Sequence, residues 1–239
     1  MKKYIASVSF GKDSVAMLLL MLEREPEMLQ RVVFFDTGWE FDAVYSVRDQ
    51  LMPLLVKHGV QLDVVKPQRS FDFLATEVVR RDGRRGWGWC GQRRRWGTAE
   101  KRALNNTYLK KHPHHTVCIR LAADEVRRPK DATKRYPLVE WGITEKRALE
   151  ICRERGVTWV QESVDLYDIF DRLSCYCCQN KNLKELRNMR KHLPSTWERL
   201  RALQKKIPFK YKSEHVGVEE LDARFEAEEK QQTLKIINP

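Results

Sequence analysis

The stretch Ser9-Phe10-Gly11-Lys12-Asp13-Ser14 decides the fold. The apolar run Tyr4-Ile5-Ala6-Ser7-Val8 precedes it and reads as a buried strand. Val15 to Leu22 follow and read as a buried helix. A strand, a polar turn and a helix N-terminus make an anion site. The first-turn N–H groups point into the turn, and the helix dipole favours negative charge there. Gly11 lets the backbone approach a ligand, Ser9 and Ser14 offer hydroxyls, and Lys12 adds a cation. Asp13 is out of place in a pure anion site, but a carboxylate is a normal ligand for Mg²⁺ riding on bound phosphates. The plainer reading is a corner in which Ser14 caps the helix.

The rest of the chain bounds the answer. At 239 residues it suits one α/β domain with an extension. The formal net charge of +12 and a pI near 9.5 point to a polyanionic partner, RNA or DNA, against the plain alternative of a basic, soluble protein. No apolar run approaches the length of a membrane span, and the N-terminus does not read as a signal peptide. Six cysteines without a secretion signal imply a reducing, cytoplasmic compartment, so they are expected as thiols or metal ligands.

Arg31 to Phe35 is a second short strand, ending in Asp36-Thr37-Gly38-Trp39-Glu40. Ligands bind at the C-terminal ends of strands in a doubly wound sheet, so Asp36, Thr37 and Gly38 are expected beside the first loop. There they would meet a ribose, an adenine or a metal-bound phosphate; a polar strand-end turn is the plainer reading. Phe41 to Lys57 is helical in period, with Pro53 expected to kink it. Gln61 to Val65 is the third strand, Thr98 to Lys111 a helix, and Thr116 to Leu121 the next strand, with Arg120 at its end. His112-Pro113-His114-His115 reads as a turn. Thr144 is a good N-cap for a helix from Glu145 to Arg155, and Ser195 with Glu198 reads as a capping box for a helix to Lys206. Strands alternating with helices predict a Rossmann-like α/β fold: a parallel sheet with helices on both faces.

The rhythm breaks between residues 80 and 102. Arg84, Arg85, Arg93, Arg94 and Arg95 are interleaved with Trp87, Trp89, Trp96 and four glycines. Guanidinium groups for phosphates and indoles for bases suit single-stranded nucleic acid. The alternatives are tryptophans packed around a metal centre at Cys90, or arginines for one small anion. Further on, Ser174-Cys175-Tyr176-Cys177-Cys178 holds a Cys-x-x-Cys pair, Cys175 and Cys178. Two thiolates so spaced grip a metal or cluster with help from elsewhere, and Cys90 is the best candidate. Zinc on four cysteines and a redox disulfide stay open beside iron–sulfur.

The first stretch lacks the Walker-type spacing. It resembles the pyrophosphate loop of the N-type ATP pyrophosphatases, Ser-Gly-Gly-x-Asp-Ser, with Phe10 in place of the first Gly. That departure is shared with the phosphoadenosine phosphosulfate (PAPS) reductase branch. Asp36-Thr37-Gly38 and Tyr136-Pro137-Leu138 with Trp141 resemble further motifs of that family. The resemblance runs from about residue 4 to about residue 180. It implies an adenine nucleotide alpha hydrolase-like domain over 1–160 and a cysteine-bearing helical extension over 161–239.

By that resemblance, Ser9, Phe10, Gly11, Lys12, Asp13 and Ser14 hold ATP or a PAPS-like adenine nucleotide with Mg²⁺, Asp13 on the metal, and Asp36, Thr37, Gly38 and Arg120 face the nucleotide. One loop cysteine plus a distant Cys-x-x-Cys resembles the tRNA 2-thiocytidine synthetases, which implies a [4Fe–4S] cluster on Cys90, Cys175 and Cys178. The expected activity is adenylylation-coupled sulfur transfer to a nucleic acid, with Lys12 and Asp13 catalytic and a separate sulfur donor. The alternative is a sulfonucleotide reductase releasing sulfite with a thiol reductant. Such reductases attack with a cysteine near the C-terminus, none lies beyond Cys178, and Cys177 would have to serve. A third reading is a binding module that has lost turnover. The acceptor is open between tRNA, DNA and a small molecule.

Overall fold

The computed structural model describes residues 3–91, 94–125 and 131–237. The described chain divides into two compact units, residues 1–67 with 100–160, and residues 68–99 with 161–239.

The first unit is built on a four-stranded parallel sheet. Its strands are β1 (Lys3–Ser7), β2 (Leu29–Phe35), β3 (Gln61–Val65) and β4 (His115–Ile119), in the order β3-β2-β1-β4. The chain builds outward from β1 on one side, then crosses back to lay β4 on the other. That reversal is the switch point at which open α/β sheets bind ligands. The segments leaving β1 and β4 at their C-terminal ends are the Ser9–Ser14 loop and Arg120. The α/β, parallel-sheet expectation therefore holds.

Helix α1 (Lys12–Arg24) is buried without interruption from Lys12 to Leu22, as an apolar run on all sides requires. Helix α2 (Asp42–Lys57) runs unbroken through Pro53, which lies at an exposed position. Short helix α3 (Phe71–Thr76) opens the segment of the second unit that lies between strands. Helix α4 (Trp96–Lys110) passes from that segment back into the first unit. Helices α5 (Pro137–Glu140) and α6 (Glu145–Glu154) follow, and both pack on α1. The Thr144 hydroxyl accepts from the Arg147 N–H, as its N-cap role predicts.

A two-stranded ribbon, β5 (Val160–Gln161) and β6 (Val164–Asp165), leads into α7 (Leu166–Ile169), α8 (Leu183–His192), α9 (Pro194–Lys206) and α10 (Val218–Ile237). The expected Ser195–Glu198 capping box is absent. Pro194 takes the first helical position of α9, and the Ser195 and Thr196 N–H groups donate to the Glu162 carboxylate at 2.9 and 3.3 Å. A capping box does occur one helix earlier, between Asn182 and Glu185. Helix α10 buries Val218, Leu221 and Phe225. Its Glu228 takes Arg187 of α8 at 2.6 Å. Among the described residues, no helix is long and apolar enough to cross a membrane.

Candidate functional site

Gly11 stands at the N-cap of α1 and brings no capping side chain. The Ser14 hydroxyl donates to the Gly11 carbonyl at 2.9 Å and accepts from the Ser9 N–H at 3.2 Å, closing the loop on itself. Ser14 therefore does not cap the helix, as the plain reading has it, but ties the loop to the first turn. Phe10 is buried with φ of +55°, a left-handed backbone that non-glycine residues seldom adopt. Its ring meets Phe34 edge-on at 5.1 Å, and its carbonyl accepts the Trp159 indole N–H at 2.7 Å. The left-handed turn explains why glycine is usual here in the resembling loops; in this chain packing and one indole hold the turn instead.

The charges meet behind this loop. The Lys12 ammonium, only 6% exposed, donates to Asp13 Oδ1 at 2.7 Å and to Glu145 Oε2 at 3.1 Å. Arg120 Nη1 lies 3.7 Å from Asp13 Oδ2. Burial lifts the Asp13 carboxyl above the usual carboxylate range, against the pull of Lys12 and Arg120. Glu145 carried no sequence signal beyond opening a helix, since it reaches Lys12 across 133 residues of chain. Cys152 and Cys118 are buried thiols, both pushed up to about 12 by burial, as expected of structural cysteines.

At the end of β2, Asp36 accepts from the Gly38 N–H at 2.9 Å and from the Tyr45 hydroxyl at 2.7 Å, with Lys66 at 3.5 Å. Thr37 donates to Glu40 at 3.2 Å, and Lys101 reaches the same carboxylate at 3.2 Å. These residues stand at the expected strand end, and in this structure their bonds close the turn.

The basic loop belongs to the second unit. Val79 and Arg85 bridge a small hairpin that turns at Arg81–Gly83, and Arg84 and Arg85 are exposed on its return arm. Gly86, Gly88 and Gly91 serve close packing: a Cβ on Gly86, at φ +69°, would lie 2.2 Å from the Ala75 carbonyl oxygen. Trp87 is 40% exposed, with the Arg80 guanidinium 5.4 Å from its ring. Trp89 is the exception to the nucleic-acid reading. It is 2% exposed, donates to the Phe209 carbonyl at 2.7 Å and packs on Tyr211, so it is a packing residue rather than a stacking platform. Arg94 and Arg95 are exposed, and Arg93 lies outside the described residues.

Cys175, Cys177 and Cys178 share one tight turn, closed by the Cys178 N–H on the Cys175 carbonyl at 3.1 Å. Cys175 and Cys178 are partly exposed, whereas Cys177 is buried and its thiol is pushed well above the usual range by burial. A thiol held protonated there is a poor nucleophile. Lys181, 2% exposed, lies behind the turn with its ammonium 3.2 Å from Ser174 Oγ and 4.6 Å from the Phe170 ring centroid. Burial pulls its pKa down, while the charges of Cys178, Glu185 and Cys175 oppose that pull. Tyr211 and Lys212 clamp the turn from outside, through the carbonyls of Cys178 and Gln179, both at 2.6 Å.

Cys90 is flanked by residues that touch this turn region. Trp89 packs on Tyr211, and a Cβ on Gly91 would lie 3.0 Å from Gln179 Cβ. The Cys90 sulfur itself lies close over Gly97. Among the described residues, no three Cys, His, Asp or Glu side chains converge closely enough to hold one metal ion. Sequence reading missed Lys181, Tyr211 and Lys212, which are ordinary residues of a charged helical region until the turn brings them together.

Comparison with known proteins accords with the fold. A search of curated protein sequences finds no match. Among solved structures the chain is similar to the U34-tRNA thiolase NcsA from Methanococcus maripaludis, determined with its [4Fe–4S] cluster. The two share 15% sequence identity with a TM-score of 0.47, over 85% of this chain and 72% of that one. Residues 3–141, more than half of the chain, match the family model of the phosphoadenosine phosphosulfate reductase domain, from the first strand through Trp141. By that match the chain belongs to the phosphoadenosine phosphosulfate reductase family.

Proposed function

We propose that this chain binds ATP and Mg²⁺ at the Ser9–Ser14 loop and couples adenylylation to transfer of sulfur onto a nucleic acid. The observation that carries the reading is the charge arrangement at the switch point. One buried carboxylate, Asp13, lies among Lys12 and Arg120 at a helix N-terminus. A pure anion site would not bury a carboxylate at its centre; a site for a metal–phosphate complex would.

In this reading the acceptor's carbonyl oxygen attacks the α-phosphorus of ATP, and the bond to the β-phosphate breaks. The backbone around Gly11 and Ser14 receives the departing pyrophosphate, and Lys12 turns from the carboxylates to offset its charge. Asp13, with Glu145 as a second carboxylate within reach of Lys12, would hold a Mg²⁺, which would supply charge stabilisation to the phosphates. A hydrosulfide-level donor then attacks the activated carbon; the C–O bond breaks, AMP leaves, and the donor's proton goes to solvent.

Cys90, Cys175 and Cys178 are the residues that would hold a [4Fe–4S] cluster. The donor set fits in two respects. Cys175 and Cys178 stand partly exposed in one turn, and the buried Lys181 ammonium lies among the charges of Cys178, Glu185 and Cys175. Such a cluster supplies an iron position at which sulfur is bound. The reductase alternative needs a nucleophilic cysteine, and Cys177, buried and protonated, does not suit that role.

The test is iron, acid-labile sulfide and zinc content on anaerobically purified protein, with pyrophosphate release from ATP in the presence of RNA. About four irons per chain, lost in Cys178→Ser, and release lost in Asp13→Ala support the reading. Zinc at one per chain, or release that survives Asp13→Ala, contradicts it.

A further inference from the structure

A pocket of about 650 Å³ opens within the second unit, a volume in the range of small-ligand sites. Its lining includes Arg94, Gln179, Phe209, Lys210, Lys212 and His215. The neighbours of both cysteine segments form part of its wall. Trp89 and Gly91 flank Cys90, and Gln179 follows Cys178.

Its chemistry is that of a ring joined to a phosphate. The Arg94 guanidinium lies over the Phe209 ring at 4.5 Å, a flat, partly exposed cation–aromatic stack onto which a base can be laid. Lys210, Lys212 and His215 rise around it, with Ser213 offering a hydroxyl and Glu214 one opposing charge. Lys210 is tied to Glu220, and Lys212 donates to the Gln179 carbonyl, so both ammonium groups are held in place.

Beside the pocket, Arg94 Nη1 donates to the Trp87 carbonyl at 3.3 Å, and the Trp87 ring is 40% exposed. A second aromatic, exposed next to the pocket, suits a polymer that threads past it.

We infer that this pocket seats one nucleotide of a single-stranded nucleic acid, its base on the Arg94–Phe209 stack and its phosphate among Lys210, Lys212 and His215. The inference rests on the nucleic-acid acceptor of the proposed function and adds residues 209–215 to it.

The test is fluorescence anisotropy of the full chain with a labelled 12-nucleotide single-stranded RNA, and with DNA of the same sequence, over a range of salt. Arg94→Ser with His215→Ser, both at exposed positions, is expected to weaken binding at least about tenfold and to flatten the salt dependence by roughly one unit of slope for each phosphate that is no longer neutralised. Magnesium–ATP affinity should stay unchanged. Cross-linking of a 4-thiouridine RNA should label the 209–215 peptide. Tighter binding of one polymer than the other identifies the source of the strand. Wild-type binding that the double variant leaves intact, or cross-links confined to other peptides, overturns the pocket while leaving a nucleic-acid acceptor standing. No wild-type binding to either strand overturns both. A free mononucleotide bound as tightly as the 12-mer overturns the polymer.

Discussion

Lys12 and Lys181 are both buried, and they are buried in different company. Lys12 lies between two carboxylates, Asp13 and Glu145, with a second cation, Arg120, close by. Lys181 lies behind three cysteines, against a serine hydroxyl and an aromatic face. Burying an ammonium is costly unless negative charge comes with it. At the Ser9–Ser14 loop that charge is carried by carboxylates. At the cysteine turn the buried Glu185 and the three cysteines surround the ammonium together. In the proposed reading, one lysine marks the loop that exchanges charge with a nucleotide, and the other stands beside the cysteines that would hold the cluster.

The largest effect that separates the two regions is expected from Asp13→Ala. It should lower pyrophosphate release by about a thousandfold, in the range seen for loss of a key electrostatic group, and leave iron content untouched. Lys181→Met should do the reverse. Replacing the buried ammonium by an apolar chain of similar length should reduce iron and sulfide content at least about tenfold while ATP binding persists. Iron retained in Lys181→Met would break the comparison.

Phe10 sharpens the comparison on the stability side. Phe10→Ala should destabilise the protein by about 3–5 kcal/mol through loss of a fully buried ring. Phe10→Gly should cost about 1 kcal/mol less although it removes one more carbon, because glycine accepts the left-handed backbone. Urea unfolding of the two variants checks the order; the reverse order would show that φ at residue 10 is not under strain.

The smallest effect is a pH dependence. The Asp13 carboxyl is raised by burial, so its proton leaves at a higher pH than that of an ordinary aspartate. Magnesium–nucleotide affinity should therefore climb as pH rises through that raised value and level off above it. Asp13→Asn should bind weakly and without that climb. Titration calorimetry between pH 5 and pH 8, a window on the order of the shifts buried carboxyls show, resolves the two curves.

How much of this was legible before the structure follows the same division. The β1–loop–α1 unit is local: strand, turn and helix lie within one short stretch, so residue types alone located this strand–turn–helix corner. Gln61–Val65 fell where its apolar pattern put it for the same reason. Partners brought from far along the chain were not legible. Glu145 and Trp159 reach the loop from 133 and 149 residues away, and no local pattern marks either. Residues 68–99 were read as part of the first domain, but they cluster with the second unit, because a loop's composition does not say what it packs on. The three tryptophans of that loop read alike in sequence. An indole serves equally as core or as platform, and only burial separates Trp89 from Trp87.

The most direct test of the account is the stoichiometry of one anaerobic reaction. Protein, magnesium–ATP, RNA and a hydrosulfide donor are mixed, and pyrophosphate, AMP and sulfur incorporated into nucleosides are counted by chromatography and mass spectrometry. The account predicts one pyrophosphate and one AMP for each sulfur gained by the RNA, all three lost together in Asp13→Ala. Sulfite released from phosphoadenosine phosphosulfate by a thiol, with no sulfur in the RNA, would contradict it.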